Sequence, residues 1–438
     1  MAPGSVFVGL DLNDAGIRTA FWNAGTRRAE SLDAAAAGLH AFDVGFRRSS
    51  DRRAFESIFP VPAGWRPDRN GVLFKAVRHH LPSFREPAQS GDELQQAIAL
   101  PALKYFRRQI AFGEVHASLA VPLEYMWDNC AALERSAHTA GFATCRSIAE
   151  PLAALLAYLP KWRDDPILWK QLAAGRGIWV VESRYWDLLV ALIDVRHSPT
   201  SAKDRLEFTV LAGDCLEHFG AMARTTDDAS LAGELRASVS RIMATTWSQP
   251  WTAETGSRPP LERANWIVGS GDGPFLETAV AAIAAELPGT PLVGDLSPNE
   301  IVASGAAVHS AIAGDQLPYR LSIARRSVLG VKVAAEGGLG FEPLVSASDE
   351  VPVDFERAFL IPGQLHDAPV EITVAAGLPG GDRCGALHTF VVAPQDLSRR
   401  DRAVLLVDGR LETAAEGRVR VRDAHTDKTL GQAEFRLL

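Results

Sequence analysis

From Val328 to Leu438 the chain is a run of short strands and turn signals, whereas the stretch of about 315 residues ending at Asp315 alternates strands with helices. A change of texture that complete constrains the architecture to an α/β part joined to an all-β part. In the second part "EGRVRVRDAHTDKTLGQAEFRL" alternates strictly over Arg418–Arg422, turns at Asp427–Lys428 and continues as another strand. This is the pattern of half-buried antiparallel sheet, and it predicts a sandwich. Between the two parts "DQLPYRLSIARRS" reads as a linker, residues 316–327. A length of 438 residues leaves room for two to four domains, and 47% hydrophobic with 22% charged residues is ordinary globular composition.

Within the α/β part, Ser5–Leu10 and Ile17–Trp22 are strands around a polar turn at Asp11–Gly16. "ASLAVP" (117–122) is a buried strand, followed by a long helix over Tyr125–Gly141. "CRSIAEPLAALLAYL" reads as a short strand, Glu150 and a helix with Pro151 in its first turn, where proline fits. "NWIVGSGDGPFLETAVAAIAAEL" is strand, glycine-rich turn and helix, and "SPNEIVASGAAVHSAIAG" is a small-residue helix capped by Ser297 or Asn299. The stretch "IWVVESRYWDLLVALIDV", residues 178–195, is unusual. Ile178–Val181 and Leu188–Ile193 are aliphatic and β-branched enough for neighbouring buried strands. The turn between them, Glu182 to Asp187, holds no glycine.

Several function classes are disfavoured. A net charge of −8 and a pI near 5.8 argue against nucleic acid as a partner, because phosphate binding needs a concentrated basic surface. The basic pairs Arg47–Arg48, Arg52–Arg53 and Arg399–Arg400 read as solvated faces. Cys130, Cys145, Cys215 and Cys384 are far apart, which suits neither a zinc site nor a disulfide framework and fits a reducing compartment. Met1–Gly16 has no basic n-region of a signal peptide, and no apolar run approaches the ~20 residues of a membrane span. The expectation is a cytoplasmic protein without membrane or nucleic-acid partners. The histidines show no ligand spacing, and neither G-x-S-x-G nor G-x-x-x-x-G-K-[ST] occurs.

Four stretches resemble the seventy-kilodalton heat-shock (DnaK-type) chaperone family. "VGLDLNDAGIRTAFW" resembles its first phosphate hairpin. "AVPLEYMWDNCAALERSAHTAGFATCRSIAEPLAALLAYL" resembles its run from "VP" through "AG" to "EPTAAALAY". "IVGSGDGPFLE" with "SPNEIVASGAAVHSAI" resembles the adenosine segment and closing helix. "SVLGVKV", "FEPLVSASDEVP" and "VLLVDGRLETAAEGRVRVRDAHTDKTLG" resemble the peptide-binding sandwich. The resemblance implies an actin-like α/β domain of two lobes built on ribonuclease H-like repeats. Its lobes would span 1–172 and 173–315, the second with a shortened outer subdomain. An all-β sandwich would follow over 328–438, ending at Leu438 without the family's helical lid.

The departures from the family's pattern bear on function. The family's first turn, Asp-Leu-Gly-Thr-Thr, lets backbone N–H groups approach phosphate; here Asp11 remains, and Asn13, Asp14 and Ala15 replace Gly-Thr-Thr. Aligning Trp186–Asp187 with the Phe-Asp of the second phosphate turn puts Glu182, Ser183 and Arg184 at its three glycines, Tyr185 at its threonine and Val180 at its aspartate. Side chains there block close backbone approach, and Glu182 adds negative charge beside a polyanion. Arg184 could pair with phosphate, but an exposed turn arginine is the plainer reading. Val77 aligns with the family's catalytic lysine, with Lys75 two residues away.

The resemblance leaves Asp11, Glu150 and Asp187 as relics of the carboxylates around magnesium waters, each with a capping role as the simpler alternative. Asn13, Gly269, Gly271 and Gly305 would contribute to a degenerate nucleotide contour, together with Gly273. By family register, Val331, Ala334, Phe359, Val370 and Ile372 line the peptide groove, although alternate apolar residues are equally sandwich core. The resemblance implies ATP or ADP with magnesium, which the altered turns oppose; no other cofactor and no metal site is read. The expected function is a chaperone-like pseudo-ATPase that binds an unfolded peptide segment or a dedicated protein partner. Two alternatives stay open, an active ATP-dependent chaperone with altered phosphate loops and a structural assembly subunit.

Overall fold

A computed structural model describes residues 5–12, 17–31, 44–48, 55–62, 65–66, 72–74, 91–110, 113–123, 127–184, 187–198, 203–216, 228–247, 266–271, 276–287, 292–294, 296–325, 328–335, 338–345, 352–361, 369–377, 384–397, 403–412 and 416–436. The chain opens with strands β1 (Ser5–Asp11), β2 (Arg18–Asn23) and β3 (Arg28–Ser31), then the short β4 (Val44–Arg48), β5 (Phe55–Ile58) and β6 (Val72–Phe74). Helix α1 (Gly91–Gln109), β7 (Glu114–Val121), α2 (Trp127–Ala140) and β8 (Thr144–Ala149) follow. Next come helices α3 (Glu150–Leu156), α4 (Leu159–Asp164) and α5 (Pro166–Ala173), and strands β9 (Arg176–Ser183), β10 (Leu188–Ser198) and β11 (Asp204–Leu216). Then α6 (Asp228–Trp247), β12 (Trp266–Gly271), α7 (Leu276–Glu286), β13 (Leu292–Val293), α8 (Ile301–Ala313) and β14 (Tyr319–Arg325) complete the second large sheet.

The two large sheets have strand orders β3-β2-β1-β7-β8 and β13-β12-β9-β10-β11-β14; β4, β5 and β6 form a small third sheet. The expectation of an actin-like two-lobed α/β domain followed by an all-β sandwich is corrected by the structure. The described residues are strand-rich, 49% strand against 31% helix, and the strands lie in several separate sheets. The reason is local. The α/β part holds antiparallel meanders, β1–β2–β3 and β9–β10–β11, as well as parallel pairs.

The chain after β14 forms β15 (Val328–Ala335), β16 (Gly338–Val345), β17 (Val353–Leu360), β18 (Val370–Gly377), β19 (Cys384–Val392), β20 (Val404–Leu411), β21 (Glu416–Asp423) and β22 (Thr429–Arg436). These make two four-stranded sheets, β16-β15-β18-β19 and β17-β20-β21-β22. One apolar core joins their inner faces, with Leu329, Val374, Leu405, Val407, Val419 and Val421 buried.

The segment expected to be a linker is a strand over much of its length. β14 pairs in parallel with β11 from Asp204↔Tyr319 to Val210↔Arg325. Leu317 and Tyr319 are buried in the core of the second sheet, with Leu321 packed against it. Alternation at 317, 319 and 321 is the half-buried strand signal.

Helix α8 is almost wholly buried and packs against β1, β2, β7 and α3, with further contacts to β12 and β14 of the second sheet. Its His309 accepts or donates one buried hydrogen bond, Nδ1 to Ser118 Oγ at 2.8 Å. Burial, and then the positive charge of Arg146, pushes the imidazole down from 6.5 to about 4. Between those values the unfolded chain binds a proton that the folded protein refuses, so stability is full above about 6.5 and falls as the pH drops toward 4. The loss is on the order of 3 kcal/mol. Thermal unfolding across this range should show a steeper acid-side decline for the wild type than for His309→Gln. Equal slopes would contradict the assignment.

Candidate functional site

Strands β1, β9 and β12 end at Asp11, Ser183 and Gly271, and α3 begins at Glu150 directly after β8. The carboxyl ends of strands in such sheets are where ligand crevices form, because the helices and loops that follow diverge there. Buried charge is concentrated at these positions: Asp11, Glu150, Glu182, Arg184 and Asp187 are each less than a tenth exposed.

The hairpin between β9 and β10 explains part of this. Ile178↔Ile193, Val180↔Ala191 and Glu182↔Leu189 face one side of the sheet, so strict alternation carries Glu182 inward with the apolar residues of β9. The Arg184 N–H donates to the Asp187 carbonyl at 2.8 Å, closing the turn. Its guanidinium then folds back into the protein. Nε donates to Glu182 Oε1 at 2.8 Å, and Nη2 lies 3.2 Å from Glu150 Oε2. Nη1 lies 3.9 Å from the half-buried Cys215 Sγ near the end of β11. Arg184 is therefore not the exposed turn arginine that the sequence suggests. It is an internal cation clamped by two carboxylates, one near the end of β9 and one from the first turn of α3.

Glu150 sits at the amino end of a helix whose seven residues are all buried, with Pro151 behind it. A carboxylate there is favoured by the helix dipole. The hydrogen bonds around Arg184 add to this, because a buried charge without compensation costs several kcal/mol.

The small residues near the site serve backbone packing. Gly271 has φ +93°, and a Cβ would lie 2.0 Å from the Ser183 carbonyl oxygen, so only glycine lets β12 end against β9. Its N–H donates to Pro298 O at 2.9 Å. A Cβ at Gly305 would lie 1.6 Å from Ala153 O, so α8 meets α3 backbone to backbone. Gly269 packs against Val280 and Leu276 of α7.

Other sequence-derived site residues are placed as follows. Asp11 and Asp187 are buried. Val180 is buried core of β9. Among the described residues no three His, Cys, Asp or Glu side chains form a group that could hold a metal ion. Asn13, Asp14, Ala15, Lys75, Val77, Tyr185 and Gly273 lie outside the described residues. In the sandwich, Val331, Val370 and Ile372 are buried core, Phe359 packs half-buried against it, and Ala334 lies within β15. Val331, Val370 and Ile372 therefore belong to the interior of the sandwich.

Magnesium with a nucleotide does not fit this arrangement. A guanidinium held 3.2 Å from Glu150 puts fixed positive charge beside one of the three carboxylates that would orient the waters of a hard cation, and its 2.8 Å bond to Glu182 keeps it there. Glu182 was legible only as a charge opposed to phosphate. Its role as a partner of Arg184 comes from the fold of the turn after β9, which brings the guanidinium back to the strand's last residues. No family model matches the chain, and no curated protein matches it. No helix among the described residues is long and apolar enough to cross a membrane.

Proposed function

We propose that this protein is a chaperone-like pseudo-ATPase: a scaffold that binds a segment of a protein partner and does not hydrolyse nucleotide. The observation that carries this reading is the clamped Arg184, which neutralises Glu150 and Glu182 from within the chain. Phosphoryl transfer depends on positioning and on electrostatic stabilisation by metal and donors. Here Glu150, one of the three carboxylates such chemistry would use, already has an internal cation as partner.

Calorimetric titration of the full chain with ATP and with ADP, each with magnesium, tests the reading. No saturable heat is expected up to about millimolar nucleotide. Saturable binding near micromolar concentration, retained in Arg184→Lys, would overturn it.

A further inference from the structure

Strand β14 closes one end of the second large sheet, and among the described residues β11 is its only strand partner. It runs for seven residues, Tyr319–Arg325, in one register with β11, without a bulge and without an internal proline. Bulges and prolines are devices by which proteins blunt an edge, so the outward row of backbone groups is left open to pairing. The phase of that row follows from one hydrogen bond. Asp204 N–H donates to Pro318 O at 3.0 Å, with Asp204 in register with Tyr319. In a parallel ladder this turns the backbone N–H and C=O of Arg320, Ser322 and Ala324 toward β11, and those of Tyr319, Leu321, Ile323 and Arg325 outward.

The side chains add an apolar seam. Tyr319 is buried in the core and Leu321 packs against it, so alternation puts Ile323 on the same face. Ile323 is nevertheless 44% exposed. Helix α5 borders this corner, where its Trp169 ring lies 5.9 Å from that of Tyr319, and its Ile167 is 70% exposed. Among the described residues these two isoleucines are the exposed large apolar side chains of the α/β part. Arg320 and Ser322 lie on the opposite face, where the Ser322 hydroxyl accepts from Arg205 at 3.3 Å.

We infer that β14 is a dimerisation edge, pairing antiparallel with β14 of a second copy about a two-fold axis at Ser322. The strand is self-complementary in that register. Ser322 is its midpoint, so all seven residues take part, and a two-fold axis at any other residue leaves one end unpaired. Outward-facing residues meet outward-facing residues, Leu321 against Ile323 and Tyr319 against Arg325, and each pair exchanges two hydrogen bonds. An isologous axis uses every pair twice, which gives about eight bonds between the copies. With the axis normal to the sheet, the apolar faces of the two copies continue into each other, and Leu321 and Ile323 cover one another. Arg320 falls opposite Ala324, so no like charges face each other across the seam. The inference goes beyond the pseudo-ATPase reading and does not depend on it.

Sedimentation equilibrium of the full chain over a concentration series is the test. The average mass should rise from 47.2 kDa toward twice that value. Ile323→Lys sets a charge in the seam and should raise the dimer dissociation constant by about tenfold or more. An unchanged circular dichroism spectrum checks that this variant is folded. Register is read by cysteine trapping, with oxidised glutathione as the oxidant. Directly opposite residues that exchange no hydrogen bonds have Cα atoms about 4.5 Å apart on antiparallel strands, within disulfide range. Ser322→Cys should therefore give a covalent dimer. Arg320→Cys should not, because its two copies would stand four positions apart, roughly 13 Å along the strand. A mass that stays at 47.2 kDa up to about 100 μM would overturn the inference. So would a dimer that Ile323→Lys leaves unchanged, or equal trapping by the two cysteine variants. Nucleotide is absent throughout, so failure here leaves the non-hydrolysing reading standing, and ATP turnover would leave this edge standing.

Discussion

Arg184→Ala is expected to destabilise the protein by about 3–5 kcal/mol, the cost of leaving a buried charge without its partner. The substitution removes the guanidinium that binds Glu182 at 2.8 Å and Glu150 at 3.2 Å, while both carboxylates stay almost wholly buried. The magnitude follows from burial, because exposed ion pairs contribute only about 0–1 kcal/mol. Removing the charges together should cost far less. Arg184→Met combined with Glu150→Gln and Glu182→Gln should recover most of the loss, since replacing a whole buried ion group is often near neutral. Denaturant unfolding followed by tryptophan fluorescence measures both. A loss below about 1 kcal/mol for Arg184→Ala would mean that the clamp does not hold the crevice together.

Gly305→Val should have an effect as large. The new Cβ would fall 1.6 Å from Ala153 O and 2.4 Å from its carbonyl carbon, so α8 and α3 cannot keep their separation. Overpacking of this kind costs about 1–3 kcal/mol when neighbours can adjust, and more when the obstacle is backbone. Here it is backbone on a fully buried helix. The displaced helix also carries Glu150, so the shift would loosen the Arg184 clamp. Ala153→Gly should not rescue the variant, because the clash is with the carbonyl group and not with the alanine methyl. Rescue by Ala153→Gly would show that the contact is made by side chains. The readout is the yield of soluble protein and its thermal midpoint.

Local structure was largely legible. The apolar runs Ile178–Val181 and Leu188–Ile193 are neighbouring antiparallel strands, buried throughout. The alternation at Arg418–Arg422 is a strand with valines inward and arginines outward. Pro151 sits in the first turn of its helix. What local pattern could not supply was the partner across the fold. Glu150 and Arg184 are separated by β8's following helices and a strand, and nothing near either one signals the other. The same limit explains the fold class, since strand runs alone do not say which sheet they join. It also explains Val331, Val370 and Ile372, because alternation cannot separate a groove lining from a core. The segment 316–327 erred the other way. Its polar ends suggested a linker, while Leu317, Tyr319 and Leu321 carried the alternation that places β14 beside β11.

Pairing of Arg184 with Glu150 and Glu182 supports the proposal that the protein works without phosphoryl transfer. Steady-state phosphate release from ATP and magnesium by the full chain, beside Glu150→Ala, tests it most directly. Release at the buffer background is expected for both proteins. Release above background by the wild type that disappears in Glu150→Ala would contradict it, because Glu150 would then be orienting water and not holding Arg184.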